Sequence, residues 1–194
     1  MDSRRNSRRD NTYSTGVIQI NLGKGKAATN ALLRVMEEDG IAVAAIQEPH
    51  VRDGKVLGFG AWCVVSRGKA PRAVILHNKN TKPIMIGHLS DEYLVAAEFK
   101  GGAGQAWYLI SAYVPPVENK TVDFTRRIQR LEDAVTELSA RGEVVVAGDF
   151  NAKSVAWGSP RDCPRGRRLC ESIEAMDTAV GRERGGRLLR EGLV

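Results

Sequence analysis

Cysteine is scarce in this sequence of 194 residues, and long hydrophobic runs are absent. Three cysteines, Cys63, Cys163 and Cys170, cannot form the disulfide framework of a secreted protein, so we expect a reducing, intracellular environment. No apolar run approaches the roughly 18 residues that a transmembrane helix needs, and no membrane association is expected. The N-terminal segment is basic and polar, unlike a secretory signal.

The motifs of several common catalytic centres are also missing. Ser154 and Ser159 have no histidine nearby in the sequence, and no G-x-S-x-G motif occurs, which argues against acyl transfer. Cys163 and Cys170 have neither a nearby histidine nor a second cysteine pair, so zinc is not predicted. The glycines and lysines at 23–26 lack the spacing of a phosphate-binding P-loop.

The composition that remains is that of a folded, basic protein. Hydrophobic residues make up 42% of the chain and charged residues 27%, which excludes a disordered or fibrous protein. The net charge of +6 and the pI of about 9.4 favour an anionic partner such as nucleic acid, without specifying it. Arginines cluster at 4–9, 161–168 and 182–190, a pattern that solvated tails and loops also show.

Hydrophobic periodicity predicts a strand, a helix and a second strand at the start of the chain. Residues 16–22 alternate apolar and polar, residues 26–38 repeat at helical spacing, and residues 41–46 form a continuous apolar run. Gly40 is the expected helix stop, because glycine reaches positive φ at little cost. A strand–helix–strand order of this kind indicates a crossover unit.

Short strands arranged as antiparallel hairpins are predicted next, at 62–65, 73–77, 84–86, 94–99 and 107–114. An amphipathic helix is predicted from Phe124 to Gly142, followed by a fully buried strand at 144–147 and a last helix at 166–176. The predicted domain organisation is a disordered basic arm at 1–14, one α/β domain at 15–176, and an irregular Arg/Gly-rich tail at 177–194.

Polar residues stand at four places where an apolar strand ends: Asn21, Glu48, Tyr113, and Asp149 with Asn151. Catalytic groups concentrate at such positions because the sheet is rigid and the following loop is open. Taken singly, each residue could be a turn former, a solvated charge or a strand aromatic. Together, one Glu, one Asp and two Asn would suit Mg²⁺, which prefers hard oxygen ligands, and metal-assisted phosphodiester hydrolysis is the chemistry indicated.

Four ordered motifs, IQINLG, AAIQEPH, SAYVPP and AGDFNAKSVAWGS, resemble the endonuclease/exonuclease/phosphatase superfamily. More narrowly, the chain resembles the N-terminal apurinic-like endonuclease domain of insect non-LTR (LINE-type) retrotransposons. The W-G-S run at 157–159 and the R-G-x-x-L pattern at 165–169 fit that subgroup. The resemblance spans about residues 17–176.

This resemblance implies an α/β fold, a four-layer sandwich of two facing mixed β-sheets flanked by helices. It implies a Mg²⁺-dependent (or Mn²⁺-dependent) enzyme that nicks double-stranded DNA in the nucleus, acts as a monomer and is fused to a downstream reverse transcriptase. The implied metal residues are Glu48 and Asn21. Asp149 would orient or deprotonate the attacking water, Asn151 would position the scissile phosphate, and Tyr113 would contact it.

One departure from the family pattern changes the expectation of activity. The family continues through further strands to a Ser-Asp-His motif, and this sequence contains no such motif; its three histidines all precede Asp149. We therefore expect a domain without its last strands. Such a domain would be a weak or inactive endonuclease, or a catalytically dead DNA-binding remnant. A phosphatase of the same superfamily is the third alternative.

Four arginines are predicted to contact DNA phosphates. They follow the Asn151 loop directly, and phosphate contacts supply affinity without sequence information. The four are Arg161, Arg165, Arg167 and Arg168.

Overall fold

Two four-stranded sheets pack against each other in the computed structural model of the chain, which describes residues 14–101, 104–116 and 121–181. The buried layer between them is apolar and draws Val43, Ile75 and Leu109 from both sheets. Helices cover the two outer faces, so the described part has the predicted four-layer α/β architecture. Residues 1–13 and 182–194, which include most of the predicted arm and tail, lie outside the described residues.

The first sheet has the order β1-β2-β6-β5, and its first two strands form the predicted crossover unit. Strands β1 and β2 are parallel, joined by a helix that ends before Gly40, whose φ is +64°. The continuous apolar run of β2 is buried, as that pattern predicts. The elements of this half are β1 (Ser14–Asn21), α1 (Lys26–Glu38), β2 (Ile41–Gln47), β5 (Cys63–Val65) and β6 (Ala73–His77), plus a short hairpin of β3 (Val51–Arg52) and β4 (Lys55–Val56) that the pattern did not predict.

The second sheet has the order β10-β9-β8-β7. Strands β7, β8 and β9 form the predicted antiparallel hairpins, whereas β10 runs parallel to β9 after a helical crossover. The elements of this half are β7 (Ile84–Met85), β8 (Leu94–Lys100), β9 (Ala106–Tyr113), α2 (Thr121–Ser139), β10 (Glu143–Asp149) and α3 (Pro164–Gly181).

Two predictions about the second half need correction. The strand at 144–147 is not fully buried: Val145, Val146 and Ala147 are partly exposed, because β10 lies at an edge of the sheet within the described residues. The last helix starts two residues earlier than predicted and continues to Gly181, so residues 177–181 are not irregular. Met176 is 4% exposed and packs in the core, which anchors the helix beyond the point where the composition changes.

Candidate active site

The sequence-predicted residues meet at one edge of the sandwich, where the carboxyl ends of two parallel strand pairs lie side by side. Asn21, the last residue of β1, is the register partner of Gln47, and Glu48 follows directly. In the other sheet Asp149, the last residue of β10, is the register partner of Tyr113. Each parallel pair thus delivers polar side chains to the same end, and the packing of the sheets brings the two ends together.

The Asn21 side chain joins the two sheets. Its Nδ2 donates to Asp149 Oδ2 at 2.7 Å and lies 3.5 Å from Glu48 Oε2. Its Oδ1 accepts a hydrogen bond from the backbone N–H of Gly23 at 2.8 Å, which turns the NH₂ group toward the carboxylates. A neutral donor between two carboxylates holds both anions in one small space.

Glu48 lies at a constrained position in the chain. Its φ is +47°, and its backbone is fixed by two 2.8 Å hydrogen bonds: its N–H donates to Arg72 O, and its carbonyl accepts from Lys24 N–H. Its carboxylate forms an ion pair with Arg72, whose Nη1 is 3.5 Å from Oε1. Strain at a non-glycine residue persists only where the surroundings impose it, and it is typical of functional sites.

Tyr113 is buried against these acidic groups, with 5% of its surface exposed. Burial, together with the charge and the hydrogen bond of Glu48, raises the pKa of Tyr113 to about 12; Asp149 adds to the rise and Arg72 opposes it. The phenol therefore stays protonated across the physiological range. It is a hydrogen-bond donor in this site and not a base.

Asp149 and Asn151 form a tight turn as well as a polar pair. Asp149 Oδ1 accepts from the backbone N–H of Asn151 at 3.0 Å, while its other oxygen accepts from Asn21. Asn151 has a φ of +47°, and its Nδ2 donates to Val114 O at 3.0 Å. Asp149 therefore both forms the turn, through its bond to Asn151 N–H, and contacts the polar group of Asn21.

A buried polar layer lies directly beneath the site. Gln47 and Ser111 are both fully buried, and Gln47 Nε2 donates to Ser111 Oγ at 3.1 Å across the two sheets. Gln19 Nε2 donates to Gln47 Oε1 on the other side. Each of the three is one or two residues from Asn21, Glu48 or Tyr113. Buried polar groups of this kind fix one arrangement when all their hydrogen bonds are made.

The four predicted phosphate-contact arginines differ in what they touch. Arg165 donates to Pro115 O at 3.1 Å, and its guanidinium lies 4.6 Å from the ring centre of Phe124; burial lowers its pKa. Arg168 binds Glu132 of α2 at 3.0 Å. Their guanidinium groups are engaged within the protein, whereas Arg161 and Arg167 are exposed.

A cleft of about 740 Å³ opens beside Asp149 and Asn151, large enough for a small ligand. Its far wall holds Trp157, whose Nε1 donates to Ala152 O at 2.9 Å. Gly158 follows at a φ of +86° and ends the short helical turn there. The W-G-S run therefore shapes the wall of a cleft that begins at the site.

The donor set at this edge suits a hard divalent cation. The carboxylates of Glu48 and Asp149 converge on the Asn21 amide, and Mg²⁺ is held in proteins by one or two carboxylates with its remaining positions filled by water or substrate. Among the described residues there is no group of three or more His, Cys, Asp or Glu that could hold a metal. The arrangement suits an ion shared with water and substrate better than a closed protein cage.

Sequence reasoning missed Arg72, which forms an ion pair with Glu48. An isolated arginine in a turn carries no motif. The signal lies in the register: β2 and β6 are antiparallel with Gln47 opposite Ala73, so the residue before Ala73 faces the residue after Gln47. Only the strand pairing, and not the sequence spacing, places these two residues together.

The histidines lie apart from the site or at its margin. His77 Nδ1 contacts the carbonyl of Asn78 at 2.8 Å, and His88 contacts Glu137 at 3.0 Å. His50 is exposed two residues after Glu48.

No helix in the described part of the chain is long and apolar enough to cross a membrane.

Comparison with known proteins gives a consistent picture. A family model described as endonuclease-reverse transcriptase matches residues 107–187. The RNA-directed DNA polymerase from the mobile element jockey of Drosophila melanogaster is 41% identical over 150 residues, covering 73% of this chain. The chain spans only 15% of the length of that relative.

Solved structures share the fold. The endonuclease domain of TRAS1, a telomere-specific non-LTR retrotransposon, superposes with a TM-score of 0.69 at 25% identity, covering 82% of this chain and 69% of that one. The AP endonuclease LMAP from Leishmania major superposes with a TM-score of 0.58 at 14% identity, covering 84% and 66% respectively. The second likeness concerns the fold alone.

Proposed function

Because the chain belongs to the endonuclease/exonuclease/phosphatase superfamily, as an endonuclease-like domain of a non-LTR retrotransposon, we propose that it is a Mg²⁺-dependent DNA endonuclease. It would nick target DNA for retrotransposition, with Mn²⁺ as an alternative ion. The observation that carries the proposal is the Asn21 amide between the Glu48 and Asp149 carboxylates, because it gathers a cation-binding donor set at the ends of four strands.

Each polar group has a role in this proposal. Glu48 would hold the ion, together with Asn21 once its amide turns Oδ1 toward the carboxylates, and the ion, when bound, would polarise a phosphoryl oxygen and stabilise the developing alkoxide. Asp149 would orient the attacking water and accept its proton. Tyr113, kept neutral by burial, would donate its O–H toward the anionic centre, and Asn151 would position the scissile phosphate.

Plasmid nicking tests the proposal directly. Supercoiled plasmid incubated with Mg²⁺ should convert to nicked circles, and Asp149→Ala should slow this by a hundredfold or more. Asp133→Ala is the matched control, since Asp133 is an exposed carboxylate on α2. If Asp149→Ala nicks as fast as the wild type, the proposed site is wrong.

A second candidate is a DNA-binding module with little turnover. It is supported by the net charge of +6 and by the exposed side chains of Arg161 and Arg167. Fluorescence anisotropy with duplex DNA distinguishes the two functions, because tight binding without nicking would favour the second. Hydrolysis of phosphoinositides without action on DNA would instead indicate a phosphatase.

We propose double-stranded DNA as the partner and a downstream reverse-transcriptase region as the fused neighbour. The jockey relative is an RNA-directed DNA polymerase of which this chain spans only a small part, which supports the fusion. We also propose a nuclear location and a monomeric state. Light scattering checks the oligomeric state, and a mass near 21.2 kDa is expected.

A further inference from the structure

Arg72 places a positive charge directly on a carboxylate proposed to hold the cation. Its Nη1 is 3.5 Å from Glu48 Oε1, with 36% of the Arg72 side chain and 23% of the Glu48 side chain exposed. The pair is open to solvent on one side, so an incoming ion or substrate can reach both groups.

The backbone around Arg72 is anchored. Its N–H donates to Glu92 O at 2.5 Å, and its carbonyl accepts from Glu48 N–H at 2.8 Å. The Glu92 carboxylate accepts from the backbone N–H groups of Lys69 and Ala70 at 2.9 Å each. The main chain is therefore fixed at the site, and only the side chain is free to change partner.

The Glu48 carboxylate would keep its position without the ion pair to Arg72. Its carboxylate also receives a hydrogen bond from Tyr113 and lies 3.5 Å from the Asn21 amide nitrogen, both neutral donors. A divalent cation and a guanidinium repel one another when they share one carboxylate. Phosphate oxygens are the other anionic group that a guanidinium binds in a fork geometry.

We propose that Arg72 is a substrate-phosphate contact that rests on Glu48 until a divalent cation takes this carboxylate and displaces the guanidinium toward the DNA. The inference rests on the proposed function, because it assumes that the substrate is a phosphodiester. Arg72 thereby lowers the cation affinity of the free protein, and its contribution to DNA binding appears only when the cation is present.

Cation binding without DNA tests the first half. Electron paramagnetic resonance of free Mn²⁺ should show two- to fivefold tighter binding by Arg72→Ala, the change expected on removing a partly exposed ion pair. Arg72→Lys should bind Mn²⁺ as weakly as the wild type. Arg34→Ala removes the same charge from α1, where Arg34 pairs with Glu38, and should leave Mn²⁺ binding unchanged.

DNA binding with and without cation tests the second half. In an Asp149→Ala background, which removes the proposed water-activating group, anisotropy should show that Arg72→Ala weakens DNA binding in Mg²⁺. It should also reduce the slope of log K against log salt by about 0.9. In EDTA the same substitution should change DNA affinity far less, because the guanidinium then rests on Glu48.

Two outcomes would overturn the proposal that a cation displaces Arg72 from Glu48. One is Mn²⁺ affinity that Arg72→Ala leaves unchanged, and the other is an equal loss of DNA affinity in Mg²⁺ and in EDTA. If the wild type neither binds nor nicks DNA, the proposed function and the phosphate contact both fail. Tighter Mn²⁺ binding by Arg72→Ala would still support displacement of Arg72 by the cation at Glu48.

Discussion

Asn21 and Asp149 are 128 positions apart in the sequence and 2.7 Å apart in space, joined by a hydrogen bond from Nδ2 to Oδ2. One residue ends β1 of the first sheet and the other ends β10 of the second. Their contact closes the sandwich at the edge where all the candidate catalytic groups lie. A single amide therefore couples the alignment of the two sheets to the geometry of the site.

Asn21→Ala should remove the hydrogen bond between the two sheets at the site, with little effect on the packing of the core. A misplacement of catalytic groups by about 1 Å can cost about a hundredfold in rate, and a loss of this order is expected in plasmid nicking. Circular dichroism and thermal unfolding should remain close to the wild type. Asn30→Ala, at an exposed position on α1, is the matched control and should nick normally.

Gln47→Leu should destabilise the protein, although leucine is similar in size. The substitution leaves Gln19 Nε2 without its acceptor and removes the donor to Ser111 Oγ, which keeps its bond to Ile46 O, at a cost of about 1–3 kcal/mol in the free energy of unfolding. Either Gln47→Leu or Ser111→Ala already removes the hydrogen bond between the two side chains, so the double variant should lose less stability than the sum of the singles. Urea denaturation measures both, and strict additivity would refute the network.

Much of the architecture can be predicted from sequence because it follows from local pattern. The apolar run of β2 and the helical spacing of α1 require burial, and polar residues at strand ends identify four site positions. Contacts set by register or helix packing cannot be found this way. Arg72 meets Glu48 through antiparallel pairing, and Arg165 faces Pro115 because of where α3 packs. The sequence showed a basic cluster at 161–168, but not which of its arginines are engaged within the protein.

Stability should fall between about pH 10 and pH 12 through Tyr113. Its pKa rises from 10.0 in the unfolded chain to about 12 in the folded protein, so the folded state keeps a proton that the unfolded state loses. The contribution is fully present below pH 10 and is lost as the pH rises through 12, for a total of about 1–3 kcal/mol.

Comparison of wild type with Tyr113→Phe in urea at pH 9 and pH 11.5 isolates this effect. The wild type should lose more stability than the variant over this range. Tyr108, whose pKa burial also raises, acts in the same direction in both proteins and cancels in the comparison. Equal losses would mean that the Tyr113 phenol ionises normally in the folded state.

Neutralising the exposed arginines should weaken DNA binding without affecting the fold. Arg161→Gln with Arg167→Gln should lower the salt dependence of log K by close to two units if each contacts one phosphate. Arg34→Gln on α1 should leave the slope unchanged. An unaltered slope in the double variant would exclude these residues from the DNA interface.

Gly166→Ala should unfold or strongly destabilise the protein, which explains the glycine in the R-G-x-x-L pattern. A Cβ at this position would lie 1.8 Å from the carbonyl oxygen of Lys153, and this atom is backbone that cannot rotate away. Accommodating the methyl requires α3 to move from the loop that follows Asn151, at an expected cost of about 3 kcal/mol or more. Arg167→Ala, at the next and exposed position, should change stability by no more than about 0.5 kcal/mol. Thermal unfolding of the two variants checks this, and equal melting temperatures would mean that helix and loop are not in contact.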